Sequence, residues 1–480
     1  MMKKVLTSLV ALTGGLMLSS LHAQDIEKEF ENFIKEQNTA FEQFKNKADA
    51  DFENYLRQAW EEFEAFKPLE TPVRPEPPQP VVFNPESPSS EPVSVPVGEE
   101  VVPEQYKPIE VDIPKVSPIQ QLRRTPIVFY GSTFEIATES ASELPWKGTA
   151  ESDVADAWKY LCQNGYEALL SDCLSAKKRF HLNDWAYLLF AKAVGVQLYG
   201  ADKTDQITFL QMFLLSKSGY KVRLAKIDDQ LRLLVSTVEP MYGVPYLTMN
   251  DLRYYVFEPR EGGSMKIYTY RHDFADAKNL ISLRIDEVPA LSGETADRTW
   301  KAEDTTWSVQ TSVEKNLIDF YHDYPQCDVA VHYHTPMSGG LRSELYDQLK
   351  PAIAGKNQVE AASVLLHFVQ TAFPYQTDGE QFGYEKPNFP DETFYYPYCD
   401  CEDRAMLYAV LVRDLLGLDA VLLDYPNHIA SAVHFTEEVT GDYILLGEGN
   451  KYIICDPTYI GAPVGACMEQ YKQVAPEIIR

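Results

Sequence analysis

The sequence predicts an α+β protein: an N-terminal α-helix and a Pro-rich linker lead into two similar units, the second packing a buried, cysteine-led helix on an antiparallel sheet. Three observations carry this. An apolar helical run begins at Cys401 and stops at Gly417, short alternating strands follow it, and the same pattern occurs upstream at a constant offset of 198 residues. A chain of 480 residues also argues for two or three folded units rather than one.

Residues 1–23 read as an export signal. Lys3 and Lys4 form a basic start, an apolar run from Val5 to Leu18 follows, and Leu21-His22-Ala23 offers a cleavage point before Gln24. The mature chain is therefore expected to be periplasmic or extracellular. Beyond that run, no stretch reaches the roughly 20 apolar residues of a spanning helix, so no transmembrane segment is expected in it.

Residues 24–67 predict an amphipathic helix. Its aromatic pairs Phe30/Phe33, Phe41/Phe44, Phe52/Tyr55 and Phe63/Phe66 recur every 11 residues. Eleven residues over three turns is about 3.67 per turn, so the rings share one face. That face needs a partner, and a homo-oligomeric helical bundle is set against packing on the rest of the chain. Residues 68–120 form the linker: with 14 prolines between Pro68 and Pro118, the segment is expected to be extended and partly polyproline, separating helix from globule.

The net charge of −28, without clustered Lys and Arg, excludes a nucleic-acid-binding role. Seven cysteines spread over this length do not resemble a disulfide framework.

In the remaining chain, two units are delimited at 121–300 and 301–480. At the offset of 198, Phe213-Leu214 falls on Leu411-Val412, Gly219 on Gly417, and Arg253 to Pro259 on Lys451 to Pro457. Such a match reads as duplication.

The chemistry concentrates in the second unit. A cysteine at the first turn of a buried helix sits where unpaired backbone N–H groups favour thiolate over thiol, although Glu402 and Asp403 oppose this. Ala420 to Asp424 reads as a strand, Tyr425-Pro426-Asn427 as a turn, and His428 to Phe435 as a second strand. Period two places His428, Ala430 and Ala432 on one face, and the small alanines would let the cysteine helix lie against it. Lys451 to Cys455 forms another strand, which delivers Asp456 at its end as the group that fixes the imidazole tautomer.

Cys401 with Ala405 and Leu407, a helix closed by Gly417, a strand-initial His428 and the run Asp456-Pro457-Thr458 together resemble the transglutaminase-like superfamily. The resemblance covers roughly residues 340 to 465 and, through the internal match, extends weakly to 125–263. It implies a papain-like α+β core and attack on amide bonds through a thioester, with transfer of the acyl group to water or an amine. Bacterial members are more often hydrolases than cross-linkers. Ile429-Ala430 after the histidine and Asp400 before the cysteine depart from the family pattern, which leaves the substrate open.

The catalytic set expected is thus Cys401 as nucleophile, His428 as base and Asp456 as orienter, acting on a peptide or peptidoglycan stem. Tyr396 and Tyr398 are candidates for the substrate groove, and the Cys401 N–H for the oxyanion. Neither cofactor nor metal is expected. Cys399 with Cys401 as a metal or redox pair lacks further ligands, and His332 with His334, read on one strand face, lack a third. His434 competes with His428 on the same strand. In the first unit Lys203, Gln230 and Glu258 occupy the three positions, so that unit is expected to be inactive. Against the hydrolase stand a non-catalytic binding or assembly protein on the same scaffold and a protein-glutamine acyl transferase.

Overall fold

A computed structural model describes residues 43, 45–71, 79–85, 91–101, 106–109, 122–259, 266–291 and 293–480. Each half of the globule places a β-hairpin and a set of helices before a mixed-length antiparallel sheet. The hairpins are Arg124–Phe129 with Ser132–Ala137 and Thr295–Trp300 with Val309–Glu314. One apolar core runs through both halves, from Trp158 and Phe213 to Phe368 and Tyr408.

The cysteine helix, Cys401–Leu416, ends where the sequence places its stop: Gly417 adopts φ +67° and returns its N–H to the Arg413 carbonyl at 3.1 Å. A left-handed cap of this kind is open to glycine without a Cβ penalty. The strands Asp419–Tyr425, His428–His434, Asn450–Cys455 and Tyr443–Leu446 then neighbour one another in that spatial order, all antiparallel.

The upstream half repeats this run. Adding 198 to Thr204–Lys217 gives 402–415, inside the cysteine helix. The same shift carries Val222–Ile227, Gln230–Val235 and Leu252–Val256 into the strands beginning at Asp419, His428 and Asn450, and Tyr246–Met249 onto Tyr443–Leu446 within one residue. The four strands also neighbour one another in the same order.

Two expectations change. The N-terminal helix does not extend to residue 67: it ends at residue 56, and Glu61–Glu64 is a strand that pairs with Lys266–Thr269. Its rings pack on the chain's own upstream unit. Phe52 meets Trp158, Tyr270 and Phe274 at centroid distances of 4.7, 5.9 and 5.6 Å. Asp49 and Lys217 close the same contact with a buried ion pair. Phe30, Phe33, Phe41 and Phe44 lie outside the described residues, as does the segment 1–23.

Nor is 68–120 a free spacer where it is described. Val81–Val82 pairs parallel with Tyr459–Ile460, Glu100–Val101 pairs parallel with Glu477–Ile479, and Val95 donates its N–H to Tyr443 at 2.8 Å. Proline prevents this segment from forming a regular interior strand, but short edge pairings between prolines remain open to it. Residues 81–82 and 93–101 thus strap the downstream half, with Val95 buried in that sheet's outer core.

Candidate active site

The site is assembled from the start of one helix and the ends of two strands. His428 opens its strand after the turn at Asn427, and Asp456 follows the last residue of Asn450–Cys455. Their side chains are joined directly, Nε2 to Oδ2, at 2.8 Å, and both are 2% exposed. A neutral imidazole with its proton on Nε2 donates to Asp456 and keeps its lone pair on Nδ1.

Asp456 is held by its surroundings. Its Oδ1 accepts the N–H groups of Thr458 at 2.9 Å and Tyr459 at 3.2 Å. The Gln370 amide donates to the carbonyls of Asp456, Tyr459 and Ala462 at 3.2, 2.8 and 3.1 Å, which fixes the turn that carries the carboxylate. The His428 ring stacks on Tyr471 at 5.2 Å, and the Tyr471 hydroxyl donates to Asn427 at 2.9 Å. Burial pushes the Tyr471 phenol up to about 12, with the neighbouring Cys401 and Asp456 adding to the shift.

Cys401 is wholly buried. Its sulfur accepts the N–H of Ile429 at 3.4 Å, so it lies against the backbone of the residue that follows the histidine. The thiol donates to Glu402 Oε2 at 3.2 Å. All seven cysteines are reduced, Cys399 and Cys401 included.

The helix packs on the sheet face opposite to the one expected. Ile429, Val433 and Cys455 join the core around the cysteine helix, and Ser431 donates to the Ala405 carbonyl at 3.1 Å. Ala430 and Ala432 instead face the outer core with Val421, Leu423 and Tyr425. Small side-chain volume does not by itself direct the helix to one face. The strand buries both faces, and period two does not say which face the helix takes.

His434 stands at the far end of the strand, paired in register with Asp419, and its Nδ1 lies 3.0 Å from the Lys451 carbonyl. His332 and His334 are not on a strand: Val329–His334 is helical, His332 is buried 3.7 Å from the Cys327 sulfur, and burial lowers its pKa to about 3. Tyr396 packs on Phe382 at 5.1 Å, while Tyr398 is 40% exposed. In the upstream half, Lys203 precedes the helix, Gln230 opens the strand, and Glu258 pairs with Lys192 on the surface.

A second group of titratable residues was not anticipated. Asp378, Glu385 and Glu402 bring carboxylate oxygens within 4.8 Å of one another, and Glu402 meets the Cys401 sulfur. Protonation relieves such crowding. Burial, then the Glu402 and Asp403 charges, pushes Asp378 up to about 9, and burial, then Glu402, pushes Asp403 up to about 7. Asp403 in turn accepts the Asn388 backbone N–H at 2.8 Å and its amide at 2.7 Å. The signal for Gln370 was present in the sequence, as a lone amide on the otherwise apolar end of the helix Gln358–Ala372. Asp378, which opens the short helix Asp378–Gln381, and Glu385 carried none, because isolated acidic residues normally face water.

These observations define a mixed α+β protein with a buried histidine–aspartate pair and a helix-initial cysteine whose sulfur meets the backbone of the residue after the histidine. No family model, curated protein or solved structure matches the chain. Among the described residues, no helix is long and apolar enough to cross a membrane.

Proposed function

We propose that the chain is an exported, transglutaminase-like cysteine hydrolase that cleaves amide bonds in peptides or peptidoglycan stems. The observation that carries this is the 2.8 Å bond between His428 and Asp456 beside a cysteine whose sulfur touches the Ile429 N–H. In this mechanism His428 Nδ1 takes the Cys401 proton, and the sulfur attacks the amide carbon. The carbon–nitrogen bond breaks as His428 returns the proton to the leaving amine, and a thioester remains. Water, relieved of a proton by His428, then attacks the thioester, and the carbon–sulfur bond breaks to give acid and thiol. Asp456 holds the ring in the Nε2–H tautomer and stabilises the imidazolium.

The two halves are read as a duplication in which Lys203, Gln230 and Glu258 leave the first copy a supporting, non-catalytic unit. Coincidence of helix and strands at an offset of 198 supports that reading.

A binding or assembly protein on the same scaffold is the second reading, favoured by the complete burial of Cys401. Incubating the full chain with synthetic stem peptides separates the two. The hydrolase gives new amine termini, lost in Cys401→Ala. Binding without cleavage by the wild type supports the second reading, and incorporation of a labelled amine into a glutamine donor would identify an acyl transferase.

A further inference from the structure

The Cys401 thiol faces a carboxylate, and this sets its reactivity. Glu402 is fully buried, its Oε2 lies 3.2 Å from the sulfur, and Asp378 and Glu385 bring oxygens within 4.8 Å of its carboxylate. An anion at that distance accepts the thiol proton's hydrogen bond but opposes a negative charge on the sulfur, the more so where water is absent.

We propose that Glu402 is a proton latch on the nucleophile: ionised, it holds Cys401 as a neutral thiol, and protonated, it releases the thiol to His428. This rests on the hydrolase reading for its biological meaning, but not for its measurement.

The groups around the sulfur come from every element that meets there. The cysteine helix and its cap supply Asp400, Glu402, Asp403 and Arg404. The preceding loop supplies Asp378, Glu385 and Lys386, whose ammonium is committed to Glu392 at 2.7 Å. From the sheet side come the His428–Asp456 pair and Tyr471. The Arg404 guanidinium is turned to the Phe373 carbonyl at 2.5 Å. Carboxylates thus surround Glu402, which itself meets the sulfur, and their charge falls as pH falls. Asp403 takes up its proton near 7 and Asp378 near 9, so acidification strips charge from the cluster.

The device flattens the response of an ordinary thiol, whose reactivity rises tenfold per pH unit below its pKa. In the wild type, each rise in pH also adds a carboxylate charge near the sulfur, and the gain is blunted.

The test is site-resolved alkylation of the full chain by iodoacetamide from pH 5 to 10, followed by mass spectrometry. Glu402→Gln should accelerate Cys401 labelling about tenfold at pH 7, the effect of one unit in thiol pKa, and steepen its pH profile. Asp378→Asn keeps Glu402 in place and should match the wild type at pH 7 but label faster above pH 9, which covers the case in which Glu402→Gln does not fold. Unchanged or slower labelling of folded Glu402→Gln at pH 7, or of folded Asp378→Asn above pH 9, overturns the latch. Because no substrate is used, the latch is judged even if peptide cleavage is never found.

Discussion

His428 donates from Nε2 to Asp456 Oδ2 across 2.8 Å, with both side chains almost wholly removed from water. In that setting the carboxylate fixes the ring tautomer, and its loss cannot be made good by solvent. Asp456→Asn should lower peptide cleavage on the order of 10³-fold or more while leaving the fold intact, because an amide can present its N–H to Nε2 and favour the wrong tautomer. Steady-state kinetics with circular dichroism checks this.

Gln370 reaches three carbonyls, those of Asp456 and Ala462 buried, with one amide nitrogen. Gln370→Ala leaves these without their shared donor and should cost about 2–3 kcal/mol in urea unfolding, since stranded buried polar groups cost about 1–3 kcal/mol each and part of the turn can relax. Cleavage should fall with it, through a displaced Asp456.

The Asp49–Lys217 pair ties the N-terminal helix to the upstream unit inside a ring cage, with the ammonium 4.5 Å from the Phe274 centroid and 4.9 Å from that of Trp158. Lys217→Met strands a buried carboxylate and should destabilise the chain by about 3–5 kcal/mol, while Asp49→Asn with Lys217→Met together should recover much of that. Denaturation of the two variants measures the difference.

The carboxylates near Cys401 also make stability depend on pH. Asp378 and Asp403 have folded pKa values raised above their unfolded ones, so the folded state holds these protons more tightly. Their contribution is fully present below the unfolded range near pH 4 and is lost as pH rises through about 7 for Asp403 and about 9 for Asp378. Asp378→Asn should therefore flatten the decline in urea midpoint between pH 5 and 9. His332, lowered to about 3, acts in the opposite direction below pH 6.5, and the comparison between variants cancels it.

Local signals placed the helix and strands that carry Cys401, His428 and Asp456, and non-local ones were invisible. The cysteine helix, its Gly417 stop and the strands at Asp419, His428 and Asn450 follow from runs of a few residues, and all stand where the sequence puts them. The Phe63/Phe66 pair extends a helical repeat that the chain abandons after residue 56, because its strand partner at Lys266–Thr269 lies more than 200 residues away in sequence. The strap at Val81–Val82 and Glu100–Val101 was hidden for the same reason: two-residue pairings leave no period to read. Which face of the histidine strand the helix covers was likewise undecidable from alternation in a strand buried on both sides. The acidic cluster needed the loop carrying Asp378 to fold back on Cys401, which composition alone does not reveal.

The central claim is that His428 and Asp456 activate Cys401. It is tested most directly by timed alkylation of the full chain at mildly acidic pH, reading all seven cysteines by mass spectrometry in wild type and His428→Ala. Six of the seven are buried, so burial alone does not single one out. Cys401 should react ahead of the other buried thiols, and His428→Ala should abolish that lead. Uniform slow labelling in both proteins would contradict it.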